Sequence, residues 1–137
     1  MEGRGPARID SDVLPVSERN GIAQVVFSPL AQGALTGKYR LGQQLPEGSR
    51  AADPKTNMWI KGFMTESHLR KVDELDAIAK ELDLSLSNLA IAWILRHESV
   101  ASALIGATKL SQLEENAKAS GVVLPQAVID RIEAVLA

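Results

Sequence analysis

The sequence predicts an α/β protein, and three features carry that expectation. Two apolar runs, IAQVVF at 22–27 and VASALIG at 100–106, have the length and β-branched content of buried strands. Each opens at its carboxyl end into a loop of small, hydroxyl-bearing and cationic residues: SPLAQGALTGKY at 28–39 after the first, ATKLSQLEENA after the second. Between and behind them lie segments with helical apolar spacing. In α/β proteins such strand tips are where ligands bind, because backbone amides become available just beyond the sheet.

The elements follow in order. MEGRGPARID is rich in Gly and Arg with little apolar content, and reads as a loose arm over 1–10. From Ser11 a short helix is expected, with Ser11 or Asp12 as its N-cap, Val13, Leu14 and Val16 as its apolar residues and Gly21 as its end. The first strand and its loop come next. Residues 40–63 are rich in Gly, Pro, Ser and Gln without a period, and so long an irregular connection is usually functional or disordered. Thr65 caps a helix with an apolar stripe of Leu69, Val72, Leu75, Ile78, Ala79 and Leu82, its other face carrying Lys71, Asp73, Glu74, Lys80 and Glu81. Ser85 caps the next helix, whose centre LAIAWIL is apolar on every side and therefore needs enclosure; Trp93 is read as core. After the second strand, Ser111 and Glu114 have the form of a capping box. A last amphipathic helix starts near Pro125, with Val128, Ile129, Ile132, Val135 and Leu136 on one face.

Composition removes several function classes. With 137 residues, 45% hydrophobic, 23% charged and a formal net charge of -2, the chain is an ordinary globular one and offers no clustered cation for nucleic acid. No apolar stretch approaches the ~20 residues that span a bilayer, and no signal-peptide core is visible, so neither a membrane nor export is expected and a cytoplasmic setting is. The absence of cysteine excludes disulfides and thiolate chemistry. His68 and His97 have no companions at ligand spacing, so no metal is expected.

The two loops share a chemistry. A pyrophosphate needs dense donors where backbone can approach closely. Ser28 and Thr36 supply hydroxyls, Lys38 a cation, Pro29 a fixed direction, and Ala31, Gly33, Ala34 and Gly37 keep the surface open. A Walker loop is discounted, because Gly33 and Gly37 are three residues apart and Tyr39, not Ser or Thr, follows the lysine. In the second loop Thr108, Lys109 and the amides opening the Ser111 helix make an anion pocket, while Gln112 shares a face with Glu115 or Asn116. An amide and a carboxylate so placed can hold the two edges of an adenine. Taken alone, Glu115 and Asn116 would read as a solvated helix face. Trp59 is either a lid aromatic or an anchor.

SPLAQGALTGKY, LIGATKLSQLEEN and the intervening LAIAWILRH together resemble the C-terminal end of the aldo-keto reductases, above all the branch that includes potassium-channel β-subunits and bacterial oxidoreductases. The likeness runs from about Val13 to Ala137. It implies the C-terminal part of a (β/α)8 barrel, two parallel strands with surrounding helices, as one partial domain over 1–137 in which 11–137 is the barrel portion. The length agrees independently, since a complete barrel takes roughly 250 residues. By resemblance, Phe27, Ser28, Pro29, Leu30, Ala31, Gln32, Thr36 and Lys38 line a dinucleotide, with Phe27 near the nicotinamide and Gly106 and Thr108 near the 2′-phosphate. Gln112, Glu115 and Asn116 meet the adenosine end. Many relatives have Arg at the position of Gln112, and Arg50 is the candidate for that cation. The region 40–63 corresponds to a cofactor-covering loop.

The resemblance implies NADP(H) as cofactor, with NAD(H) kept as the alternative. The family's catalytic Asp, Tyr, Lys and His lie in the first half of the barrel, and no segment here matches their motifs; Tyr39 follows the phosphate loop and is not that tyrosine. The expectation is thus the dinucleotide-binding portion of a carbonyl reductase without catalytic residues. A second expectation is a non-catalytic nucleotide-binding or assembly module, whose open strand edges self-associate or pair with a missing half-barrel.

Overall fold

In the computed structural model, which describes residues 9–137, the two apolar runs pair as parallel strands β1 (Gln24–Phe27) and β2 (Val100–Leu104). Val25 sits opposite Ser102, Val26 opposite Ala103 and Phe27 opposite Leu104, after an irregularity between Gln24 and Val25. Both strands are shorter than the apolar runs suggest. Ser28 adopts a left-handed φ of 57°, which ends β1 and leaves Ile105 and Gly106 without a facing partner. One face of the pair is open to solvent: Val25, Phe27 and Leu104 are 59%, 82% and 57% exposed.

The helices carry the core. α2 (Glu66–Glu81) and α3 (Leu86–Leu95) form the crossover between the strands, and α5 (Gln126–Leu136) packs against α2. Both expected caps are made. Thr65 Oγ1 accepts from the His68 N–H at 3.3 Å and Ser85 Oγ from the Asn88 N–H at 3.2 Å, each satisfying an amide that the helix cannot. Val72, Leu75, Ile78 and Ala79 of α2 meet Leu86, Leu89 and Ala92 of α3 and Val128 and Ile132 of α5 in one buried cluster. Each large aliphatic side chain so buried contributes about 1.5–3 kcal/mol. α3 is enclosed on several sides, by α2, by β2, by the turn after β1 and by α4 (Leu110–Ala117). Trp93 departs from the core reading: it is half-buried, packed on the cluster's margin with the Arg96 guanidinium 3.8 Å above its ring.

Residues 40–63 have a buried anchor that the sequence does not announce. Tyr39, Ala51, Ile60 and Leu69 form a second cluster, with Tyr39 and Ile60 at 1% and 0% exposure. Trp59 is 66% exposed, so the anchoring role falls to its neighbour Ile60.

The N-terminal helix also differs from expectation. Its backbone enters a wide helical turn at Ile9–Val13 and continues as α1 (Leu14–Arg19), with Val13 at the cap in helical conformation and no side-chain cap bond. Neither Ser11 nor Asp12 is therefore the cap. Pro15 has no N–H to give the carbonyl of Ser11, and the turn widens where that bond cannot form. The expected loose arm thus stops short of residue 10, because Ile9 and Asp10 are already in this turn; residues 1–8 lie outside the described part. Gly21, at φ 64°, ends α1 as expected.

Candidate functional site

The turn after β1 is built from unusual backbone. Ser28, Ala31 and Gln32 take φ of 57°, 47° and 59°, followed by Gly33 at 99°. Non-glycine residues in the left-handed region cost of order 1–2 kcal/mol each, and such strain gathers at ligand sites. Local bonds hold the turn. Ala31 N–H donates to Ser28 O at 3.0 Å, Gly33 N–H to Leu30 O at 2.8 Å, and Thr36 Oγ1 to Gly33 O at 2.8 Å. Gln32 Nε2 donates to Ser28 Oγ at 2.8 Å, and Arg50, arriving from the long loop, donates to Gln32 Oε1. Ser28, Gln32 and Arg50 thereby form a polar chain from the strand tip to the loop.

Behind the second strand, α4 begins at Leu110 with Lys109 at its cap position and no side-chain cap. Ser111 is the helix's second residue, so the expected Ser111–Glu114 capping box does not form. Gln112 does the work from the other direction: its Oε1 accepts from the Thr108 N–H at 2.9 Å and the Thr108 hydroxyl at 3.3 Å. Glu115 is engaged as well, accepting from Asn88 Nδ2 at 3.0 Å and from Lys118 Nζ at 2.7 Å. The Lys118 hydrogen bond, with Ser85 and Asn88 adding to it, holds its carboxyl below the usual glutamate value. Asn116 is buried beside it.

Both strand tips open into one groove of about 730 Å³. It is lined on one side by Phe27, Ser28, Pro29 and Leu30 at the end of β1, then by Gln32, Thr36 and Lys38 of the turn. On the other side stand Gly106 and Thr108 beyond β2, and Gln112, Glu115 and Asn116 of α4; Arg50 closes the rim from the long loop. Of the residues expected to line a dinucleotide, Ala31 does not line it. Lys109, expected in the anion pocket, does not line it either, although Thr108 and Ser111 on either side of it do. Sequence reasoning missed Ser87, Ile105 and Gly48, which also line it. Ser87 reads as an ordinary first-turn helix residue, and only the packing of α3 against the turn brings it there; its hydroxyl meets Leu35 O at 3.4 Å.

The arrangement offers hydroxyls, amides and two cations around a cleft at the carboxyl ends of parallel strands. Among the described residues no cluster of His, Asp and Glu could hold a metal, and no helix is long and apolar enough to cross a membrane.

Architecture and cleft together define an α/β protein with an open groove at the tips of its parallel strands. The chain belongs to the aldo/keto reductase family, whose sequence model matches residues 6–137. It is 41% identical over 131 residues to a probable voltage-gated potassium channel subunit beta of Oryza sativa subsp. japonica, covering 94% of this chain and 40% of that one. It is 38% identical over 111 residues to an L-glyceraldehyde 3-phosphate reductase of Escherichia coli O157:H7, covering 80% and 32%. A solved structure, the glycerol dehydrogenase AKR11B4 from Gluconobacter oxydans, superposes with a TM-score of 0.74 at 27% identity, over 93% of this chain and 38% of that one. The chain thus spans about two fifths of the length of the curated subunit it matches.

Proposed function

We propose that this chain is the dinucleotide-gripping C-terminal part of a (β/α)8 oxidoreductase, and that it binds NADP(H) across the tips of β1 and β2. The observation that carries the reading is the shared groove: Lys38 on one strand's loop and Asn116 behind the other line the same cleft. Its volume lies within the ~300–1,000 Å³ of small-molecule sites. The donor set fits a diphosphate at Ser28 and Lys38, joined by Arg50, whose bond to Gln32 draws it to this turn rather than to the Gln112 position, and an adenosine end at Thr108, Gln112 and Asn116. Bound there, a nicotinamide dinucleotide would supply the hydride that full-length family members exchange with a carbonyl.

The proton for such an exchange does not come from this chain's tyrosine. Tyr39 is the single tyrosine in the sequence, is 1% exposed, and its hydroxyl accepts the Ala51 N–H at 3.3 Å. The chain's own residues bind and orient the cofactor. The test is a fluorescence titration of the 137-residue chain with NADPH and with NADH. Saturable NADPH binding, lost in Lys38→Ala, is expected, with no NADPH oxidation by an added aldehyde; absence of binding to either dinucleotide overturns the proposal.

The open strand face favours a second reading, an assembly module. Val25, Phe27 and Leu104 present an apolar surface that barrel strands elsewhere in the fold would cover, and β1 and β2 keep unpaired outer edges. Concentration-dependent sedimentation, abolished by Val25→Lys, would support association of this face with a second copy.

A further inference from the structure

The two cations of the groove each precede one partner of a buried hydrogen bond, that between Tyr39 and Ala51. Among the described residues lining the cleft, Lys38 and Arg50 are the basic ones. Their side chains converge on adjacent residues of the turn. A β-carbon built at Gly33 would lie 3.5 Å from Lys38 Nζ, and the Arg50 guanidinium donates to Gln32 Oε1. Both positive groups are thus directed at neighbouring residues of one turn on the groove wall.

The residues that follow them are also joined. Lys38 is followed by Tyr39 and Arg50 by Ala51, and the Ala51 N–H donates to the Tyr39 hydroxyl in a buried setting. Tyr39 and Ala51 belong to the same apolar cluster as Ile60 and Leu69. On the far side of Tyr39, Arg40 fixes the segment to α2, donating to Asp73 at 2.6 Å and to Asp76 at 2.7 Å. Tyr39 thus lies at the junction of three parts: the turn carrying Lys38, the loop carrying Arg50, and α2. Its ring is buried in the cluster, and its hydroxyl makes the cross-link to the loop.

We infer that Tyr39 is a positioning residue whose hydroxyl couples Lys38 to Arg50, so that the two cations engage a diphosphate group as one unit. The inference rests on the dinucleotide reading above. It predicts that the effects of Lys38 and Arg50 on binding are non-additive while Tyr39 is intact and become additive without its hydroxyl.

The experiment titrates the 137-residue chain and its Lys38→Ala, Arg50→Ala and double variants, each with Tyr39 and with Tyr39→Phe. Two probes are used, NADPH and inorganic pyrophosphate. Tyr39→Phe keeps the ring in place, and is expected to weaken both probes about 2- to 10-fold, the range for one lost hydrogen bond. Amide hydrogen exchange of the ligand-free chain gives a second readout: the Ala51 N–H should exchange faster in Tyr39→Phe while Leu75 and Ile78 keep their protection.

A merely structural tyrosine would lower thermal stability but leave the Lys38–Arg50 coupling unchanged, and that result overturns the inference. Unaltered Ala51 exchange overturns it as well. Pyrophosphate binding that depends on Tyr39, without NADPH binding, would sink the dinucleotide reading and support the cation pair. NADPH binding indifferent to Tyr39→Phe would do the reverse, and failure of both probes would overturn both.

Discussion

Asn88 Nδ2 donates to Glu115 Oε1 at 3.0 Å, joining the first turn of α3 to the groove-lining face of α4. Asn88 is buried, at 3% exposure, and Lys118 holds the other carboxylate oxygen at 2.7 Å. The contact means that Glu115 supports the wall of the groove before it meets any ligand.

Glu115→Ala should therefore destabilise the chain as well as weaken binding. It leaves a buried amide without its acceptor, which costs about 1–3 kcal/mol. Urea denaturation should report a loss in that range, and Glu115→Gln, which keeps an acceptor oxygen, should recover most of it. Equal stability of the Ala variant and the parent would contradict the role.

Under the proposed dinucleotide reading, the Thr108–Gln112 pair bears on which dinucleotide is preferred. Both Thr108 donors are already taken by the Gln112 carbonyl, so an anion arriving there must displace it. Gln112→Arg releases those donors and adds a cation. A charge-assisted hydrogen bond contributes about 1.5–3 kcal/mol, so the ratio of NADPH to NADH affinity should rise roughly 10- to 100-fold. Parallel titrations with the two cofactors check this; an unchanged ratio would place the 2′-phosphate elsewhere.

Acid should loosen the long loop from α2 through Asp76. Burial alone would raise this carboxyl, but hydrogen bonds from Lys80 and Arg40 outweigh it and hold the pKa below the usual 3.8. A carboxyl depressed in the folded state contributes stability that is complete above its unfolded value and lost as pH falls through the folded one. The corresponding loss is expected below about pH 4. Thermal melts between pH 3 and pH 7 should show a steeper acid decline in the parent than in Asp76→Asn, which should be less stable at neutral pH. Coincident pH profiles would refute the assignment.

Ile60 tests the loop's anchor. It is fully buried against Tyr39, Ala51 and Leu69, and truncation to Ala should cost about 2–5 kcal/mol through lost contact and residual cavity. Trp59→Ala next to it, at a side chain 66% exposed, should stay within about 0.5 kcal/mol. A reversal of the two in denaturant titrations would mean that the loop packs differently.

How much was legible beforehand divides along physical lines. Helical periodicity marked the buried stripe of α2, because a 3.6-residue repeat puts Leu69, Val72 and Leu75 on one face whatever surrounds them. Thr65 and Ser85 were readable as caps because their hydroxyls act on amides only three residues away. The strand tips were readable because glycine and hydroxyl residues follow an apolar run directly. Signals within a few residues survive in the sequence.

What the chain alone determined, then, were local matters: two strands, the capped helices, the loop chemistry and the family likeness. Tertiary structure alone decided that Tyr39 would be buried, that Ile60 rather than Trp59 would anchor the loop, and that Ser87 would reach the groove. Each depends on a partner distant in sequence or on a backbone angle set by packing, and no periodicity or spacing encodes where such a partner will come to rest.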